Sequence, residues 1–235
     1  MNEKCSIEDI LTLVEQNFDF LHIGMFLSLY IQEHNLATEA KNLSLNLEQK
    51  PYLLRGDLIR DSFSNSFINW NKSNILGYFV EWNAFRGIAM AMYEGIKNND
   101  FKNFLKHILK QQYTHFEYII AFIRNILSHN IDNEIRLSED DFERSKKRFI
   151  EKVDKSGVAV FDFIYSRDFP EKTTFPENYR FKIELKFYSL KEGDKLTDII
   201  SEWQLFMIME LCRNIVAYYR KNQFPNNYLL TGIEL

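Results

Sequence analysis

The segment from residue 116 to 130, FEYIIAFIRNILSHN, constrains the fold more than any other stretch, because it is amphipathic at a helical period. At about 100° per residue its apolar side chains share one continuous arc: Phe116, Ile119, Ile120, Phe122, Ile123, Ile126 and Leu127. The opposite arc carries Glu117, Tyr118, Arg124, Asn125, Ser128 and His129, interrupted by Ala121. The pattern predicts a helix that is buried on one side and presents an arginine, an asparagine and a histidine on the other.

Arg124, Asn125 and His129 follow one another in the order R-N-x-x-x-H. This order resembles the signature of the HEPN superfamily, which consists of small all-helical proteins, many of them RNA-cutting toxins. The resemblance covers the motif helix and, more loosely, the helices around it. It implies a mainly α fold, an antiparallel helical bundle of the HEPN type. It also implies a metal-independent endoribonuclease, in a toxin–antitoxin or phage-defence setting.

The resemblance assigns catalytic roles to the three motif residues. RNA carries its own nucleophile, the ribose 2′-hydroxyl, so the protein needs to supply only proton transfer and charge stabilisation. His129 is expected to transfer a proton, and Arg124 to hold the scissile phosphate. Asn125 is expected to orient the phosphate or His129 by hydrogen bonding. Glu117, two turns before Arg124 on the same face, is expected to pair with it as an accessory residue, and Ser128 is a second accessory residue.

HEPN proteins typically dimerise through this helix, so that two motifs share one cleft. The small residues Ala121 and Ser128 lie among the polar side chains, where they would allow a second helix to approach closely. One copy of the motif supplies one histidine, whereas an acid and a base are most easily provided by two. The resemblance therefore implies a homodimer with two-fold symmetry.

Alternative interpretations remain open at the level of the sequence. A HEPN-like fold can persist as a noncatalytic RNA-binding or dimerisation module. Polar residues on a helix face are also commonly just solvated, as in a purely structural helical protein. HEPN toxins that are controlled by a nucleotidyltransferase often carry a tyrosine two residues after the histidine, whereas this chain has Ile131. An antitoxin protein is a further candidate partner.

Three lysines precede the motif at four-residue intervals: Lys102, Lys106 and Lys110. If one unbroken helix continues from them into the motif, they lie on the Arg124 face and are expected to bind the phosphate backbone of an RNA such as tRNA or mRNA. A kink near residues 111–112 would destroy this alignment and leave a solvated lysine ridge.

The composition is that of one globular, soluble domain, with 46% hydrophobic and 26% charged residues in a chain of 235. The 21 phenylalanines and 12 tyrosines provide ample material for a helical core. The formal net charge of −4 argues against a protein that coats nucleic acid nonspecifically, but it permits a local basic cleft.

The cysteines and the apolar runs indicate which cofactors and which cellular compartment to expect. Cys5 and Cys212 are far apart and lack metal-type spacing, so no disulfide scaffold, zinc site or other cofactor is expected. The first residues lack the order of a signal peptide, and the longest apolar run, Phe20 to Ile31, is too short to span a bilayer. We therefore expect a cytoplasmic protein without a membrane partner.

Capping signals and apolar periods predict the remaining elements. Helices are expected from Ser6, whose capping box includes Asp9, and then at Phe18 to His34, Asp57 to Phe67, Ile75 to Lys97, from Asp100, Ser138 to Val153 and Thr197 to Lys221, with 42–46 as a connection. Strands are expected at Val158 to Tyr165 and Arg180 to Ser189. The whole, 1–235, is expected to be one HEPN-like domain, with an N-terminal helical extension (about 1–70), a motif-bearing bundle (about 75–155 and 197–222) and a β-hairpin (about 157–190) before the last helix.

Overall fold

The computed structural model describes residues 6–47, 49–63, 75–129, 135–164 and 180–223. This part of the chain is mainly helical, as predicted. Its α-helices are α1 (Ile7–Glu33), α2 (Gly56–Phe63), α3 (Ile75–Gly95), α4 (Asn99–Leu109), α5 (Tyr113–His129), α6 (Glu139–Lys152), α7 (Leu196–Ile199) and α8 (Glu202–Gln223). Its strands are β1 (Leu43–Leu47), β2 (Lys50–Leu54), β3 (Val158–Ile164) and β4 (Arg180–Lys186). None of the described helices is both long enough and apolar enough to cross a bilayer.

The chain divides into two compact units. Unit 1 comprises Met1–Phe18 and Phe85–Leu235, and unit 2 comprises Asp19–Ala84. All residues of the R-N-x-x-x-H motif belong to unit 1.

Unit 2 contains an antiparallel hairpin, β1–β2, in which Leu43 lies opposite Leu54. The expectation of an irregular connection at 42–46 is therefore wrong. Asparagines at both ends of this segment suggested a turn, but the intervening sequence LSLNL alternates apolar and polar residues at the period of a strand. Asn42, just before β1, instead accepts a hydrogen bond at 2.8 Å from the N–H of Gly56, just after β2. Its side chain therefore links the two ends of the hairpin.

The predicted N-terminal cap of α1 is confirmed, since the Asp9 N–H donates to Ser6 Oγ at 3.1 Å and the Ser6 N–H donates to Asp9 Oδ2 at 3.2 Å. The predicted separation into two helices at Phe18 is wrong, because α1 continues unbroken to Glu33. The side-chain amide of Asn17, next to the predicted boundary, donates to the carbonyl of Leu13 at 2.7 Å. That bond to the preceding turn is compatible with a continuous helix.

Helix α5 lies at the centre of unit 1. Every residue of its predicted apolar arc is buried, and the helix packs against α6 and β3. Phe116 contacts Phe161 of β3, with ring centroids 5.3 Å apart. On another side of the unit, Phe85 of α3 meets Phe206 of α8 at 5.0 Å. The amphipathic pattern therefore predicts correctly which face of α5 is buried.

The predicted hairpin before the last helix is confirmed. Strands β3 and β4 are antiparallel, with Phe161 opposite Ile183, and alternate side chains of both strands are buried. Residues 165–179, which include the predicted end of the first strand at Tyr165, lie outside the described residues, as do residues 64–74, which include the predicted helix end at Phe67. The last long helix begins at Glu202 and not at Thr197, because Ser201 and Gln204 cap it reciprocally, at 2.8 and 3.2 Å.

The helix that carries the three lysines does not continue into the motif. Helix α4, capped by Asn98 and not by Asp100, ends at Leu109. Lys110 takes a left-handed φ of 50° and begins a short 3₁₀ turn, Lys110–Gln112. Gln112 stabilises this break through two hydrogen bonds with the backbone of Asp162 on β3, at 2.7 and 3.0 Å. The continuous helix assumed for the lysine ridge is therefore wrong.

Candidate functional site

The polar face of α5 lines a cavity of about 620 Å³ within unit 1. Helices α3, α4 and α6 provide the remaining walls. The lining residues are Tyr93, Lys102, Glu117, Tyr118, Ala121, Arg124, Asn125, His129, Asp140, Arg144, Ser145, Arg148 and Lys152. The three motif residues thus share one cavity, as the spacing on the helical wheel requires.

Arg124 is half-buried and is held from two sides. Its Nη1 donates a hydrogen bond to Asn125 Oδ1 at 3.0 Å. Its guanidinium also lies 5.3 Å from the centre of the Tyr93 ring, in cation–π geometry. These contacts restrict the long side chain before any ligand binds, which lowers the entropy lost when it grips an anion.

Asn125 connects Arg124 to α6. Because its carbonyl oxygen accepts from Arg124, its amide nitrogen is the group that faces Ser145 Oγ, at 3.3 Å. Asn125 therefore positions Arg124. The other role expected of Asn125 was to orient His129. In this structure Asp141 contacts His129 instead.

Asp141, the residue that contacts His129, lies near the start of α6. Its Oδ1 lies 2.8 Å from His129 Nδ1, and its Oδ2 accepts the Ser138 N–H at 2.8 Å, within the predicted capping box. The Asp141 side chain is completely buried, whereas that of His129 is 57% exposed. A carboxylate only accepts hydrogen bonds, so Nδ1 carries the proton in this pair. The neutral ring therefore has Nε2 as its basic nitrogen.

Glu117 pairs with Lys102 and not with Arg124. The Lys102 ammonium lies 3.9 Å from the Glu117 carboxylate, across the contact between α4 and α5. Glu117 also affects Tyr113, whose phenol pKa is raised first by burial and then by this carboxylate. No ion pair joins Glu117 to Arg124 within the described part of the chain. Arg124 therefore keeps its charge available for an external anion.

The other predicted residues have different positions. Ser128 does not line the cavity, because its hydroxyl donates to the carbonyl of Arg124, one turn earlier, at 2.5 Å. Lys106 and Lys110 also lie outside the cavity lining, the former with its ammonium 5.8 Å from the Tyr113 ring. Of the three lysines, only Lys102 lines the cavity.

A contact from α3 supports the end of α5. Arg86 Nε donates to the carbonyl of Leu127 at 2.5 Å. A cation at the C-terminal turn satisfies an orphan carbonyl and interacts favourably with the helix dipole. Since His129 occupies the last turn of α5, this contact restrains the backbone that carries it.

Helix α6 contributes groups that the sequence did not assign to the site: Asp141, Ser145, Arg144, Arg148 and Lys152. The sequence explained Asp141 completely as part of a capping box. Nothing in the sequence therefore indicated that Asp141 contacts His129. The signal available for Arg144, Arg148 and Lys152 was their spacing of four residues, which places them on one helix face.

The cavity is electropositive in a chain of negative net charge. Apart from His129, it is lined by five cationic side chains and two acidic ones, a net charge of +3, whereas the chain as a whole carries −4. Such a concentration of charge in a concave surface attracts anions. Among the described residues, no group of three or more His, Cys, Asp or Glu side chains is arranged to hold a metal ion.

Searches of the chain against family models, curated protein sequences and solved structures gave no match.

Proposed function

We propose that this protein is a metal-independent endoribonuclease of the HEPN type. The observation that carries the proposal is the His129–Asp141 pair, 2.8 Å apart, at a basic cavity that also contains Arg124. A histidine held in one tautomer by a buried carboxylate is the arrangement used for proton transfer in many hydrolytic enzymes. The R-N-x-x-x-H resemblance supports the choice of RNA as substrate.

The chemistry follows from the substrate. The ribose 2′-oxygen attacks the adjacent phosphorus and transfers its proton to Nε2 of His129, while Asp141 stabilises the imidazolium that forms. The bond from phosphorus to the 5′-oxygen breaks, and that oxygen receives a proton. The products are a 2′,3′-cyclic phosphate and a 5′-hydroxyl end, and no metal is consumed or required.

Arg124 supplies the charge stabilisation. A guanidinium has five N–H donors, and Asn125 engages one of them. The others are sufficient for bidentate binding of a phosphate whose charge grows in the transition state. Since Asn125 and Tyr93 hold the guanidinium in place, little reorganisation is needed as the reaction proceeds.

The proposal extends to a homodimer in which the two motif helices face one cleft. The proton for the leaving 5′-oxygen then comes from His129 of the second copy, and Ala121, which lines the cavity, allows the close approach. We propose a cytoplasmic location, with an antitoxin protein as a further partner.

A noncatalytic RNA-binding module is the second candidate, because the positive charge of the cavity does not depend on His129. One assay separates the two candidates. Purified protein is incubated with total RNA and with tRNA in EDTA, as wild type, His129→Ala, Arg124→Ala and a control, His107→Ala. His107 is an exposed histidine of α4 outside the cavity lining. The proposal predicts cleavage by the wild type and the control only, whereas RNA binding without cleavage by all four proteins would support the binding module.

A further inference from the structure

Helix α6 presents a row of three cations along the cavity. Arg144, Arg148 and Lys152 are exposed and lie four residues apart. Four residues of helix rise by about 6 Å, so the row extends for about two turns. It starts one turn after the level of Asp140 and leads away from it.

The three cations of this row are not used by the fold. None of them forms an ion pair with a carboxylate in the described residues. Lys146, on the same helix but outside the cavity lining, is instead paired with Glu143 at 2.6 Å. Like charges lined up along a concave surface repel one another and attract a counter-charge, so the row favours an anionic ligand.

One aromatic ring narrows the class of anion that the row can bind. The Tyr118 ring lines the cavity and is supported edge-to-face by Phe149, with ring centroids 5.0 Å apart, whereas the Tyr93 ring already contacts Arg124 and Lys97. Cationic groups beside supported aromatic rings are typical of surfaces that bind single-stranded nucleic acid, in which bases stack on the rings and phosphates meet the cations. A simple inorganic anion needs no aromatic ring and does not fill about 620 Å³.

We propose that Arg144, Arg148 and Lys152 bind the phosphates that flank the scissile linkage, so that the substrate is a single-stranded RNA segment of several nucleotides. The choice of RNA rests on the proposed function. The row takes the role expected of Lys106 and Lys110, which lie outside the cavity lining. Arg124 holds the phosphate that reacts, and α6 holds its neighbours.

Binding is tested with a fluorescent RNA of about ten nucleotides, made uncleavable by 2′-O-methyl groups, at several salt concentrations. Arg144→Gln, Arg148→Gln and Lys152→Gln are compared with Lys147→Gln, a charge-matched control on the exposed side of α6 that does not line the cavity. Each row variant is expected to reduce the slope of log K against log salt by about 0.7, the value for one phosphate contact on a single strand. The control keeps the wild-type slope. Wild-type slopes in all row variants, or no RNA binding by the wild type, would overturn the inference.

Cleavage distinguishes this inference from the proposed function. With a dinucleoside monophosphate, which contains only the scissile phosphate, the row variants are expected to lose less kcat/KM than with the ten-nucleotide RNA. With the ten-nucleotide RNA, they lose kcat/KM mainly through a raised KM. Equal losses on both substrates would overturn the inference while leaving the endoribonuclease intact. Row-dependent binding by a protein that cleaves neither substrate would instead refute only the proposed function.

Discussion

One buried side chain, that of Asp141, defines the tautomer of His129. Asp141 uses one oxygen to complete the cap of α6 and the other to contact His129 Nδ1 at 2.8 Å. A buried carboxylate is costly unless its oxygens are satisfied, and these two contacts satisfy one lone pair on each oxygen. The same residue therefore stabilises the start of a helix and orients the candidate base.

Asp141→Asn tests this role. An amide can donate to Nδ1, which favours the tautomer with the proton on Nε2 and removes the basic nitrogen from the site. We expect kcat on RNA to fall by roughly 10²- to 10⁴-fold, as for His129→Ala, because both changes remove the base. Nitrogen-15 NMR of the imidazole is expected to show the proton on Nδ1 in the neutral wild type and its loss from Nδ1 in the variant.

The control for this variant is Ser138→Ala, which weakens the same capping box without removing the carboxylate. It is expected to lower the free energy of unfolding by about 1 kcal/mol and to leave the His129 tautomer unchanged. If Ser138→Ala and Asp141→Asn reduced kcat equally, Asp141 would act only through the stability of α6.

The role of Asp141 could not be predicted from the sequence. The motif gave Arg124, Asn125 and His129 because neighbours on one helix are related by local geometry. The contact of Asp141 with His129 instead depends on how α6 packs against α5, which no periodicity encodes. The local signal around Asp141 was fully explained by its cap.

At the scale of elements, the site depends on how α4, α5, α6 and β3 are arranged in space. The break at Lys110–Gln112 turns α5 away from the direction of α4, and two hydrogen bonds between Gln112 and Asp162, 50 residues apart, hold it. The sequence indicated a kink at these glutamines as one alternative. It could not decide between kink and continuous helix, because the deciding partner lies on β3.

A second contact between α5 and β3 gives the fold a pH dependence. The Val160 N–H donates to His115 Nδ1 at 3.2 Å, so that nitrogen is unprotonated. Burial lowers the pKa of His115, and the charge of Asp154 opposes this shift only in part. The unfolded chain therefore binds the proton first as the pH falls. The stability that His115 contributes is complete above the ordinary imidazole pKa. It is lost as the pH falls from that value through the lowered pKa of His115 in the folded protein.

Urea unfolding at about pH 7.5 and about pH 5.5 measures this effect, since the interval spans the ordinary imidazole pKa. The wild type is expected to lose more unfolding free energy over the interval than His115→Gln, whose amide does not titrate. The same loss in both proteins would assign the pH dependence to other groups.

At the scale of the whole molecule, the sequence predicted the mainly helical class and the β3–β4 hairpin, because both are strong local patterns. It missed the β1–β2 hairpin, where asparagines at the ends of the segment concealed an alternating strand. It also placed Lys106 and Lys110 at the site by extending α4 too far. The first error was a misreading of a local pattern, whereas the second arose where a tertiary contact decides between two local options.

The dimer is tested by light scattering at micromolar concentration. We expect a mass of two chains for the wild type and a shift towards one chain for Ala121→Trp, whose ring would block close approach of two α5 helices. Tyr188→Trp, which introduces the same side chain at an exposed residue outside the cavity lining, is expected to keep the dimer mass. A wild-type monomer, or a dimer whose two His129 side chains lie on opposite surfaces, would refute the shared cleft.

The most direct measurement of the central claim uses one RNA oligonucleotide made in two forms. The wild-type protein first identifies its cut site in EDTA, and the second form then carries a 2′-deoxy sugar immediately before that site. The first form is expected to yield a 2′,3′-cyclic phosphate and a 5′-hydroxyl end, in a reaction that requires His129 and not His107. The second form is expected to remain intact, because its nucleophile has been removed. Cleavage of the deoxy form at the same site, or cleavage only after a divalent metal is added, would contradict the account.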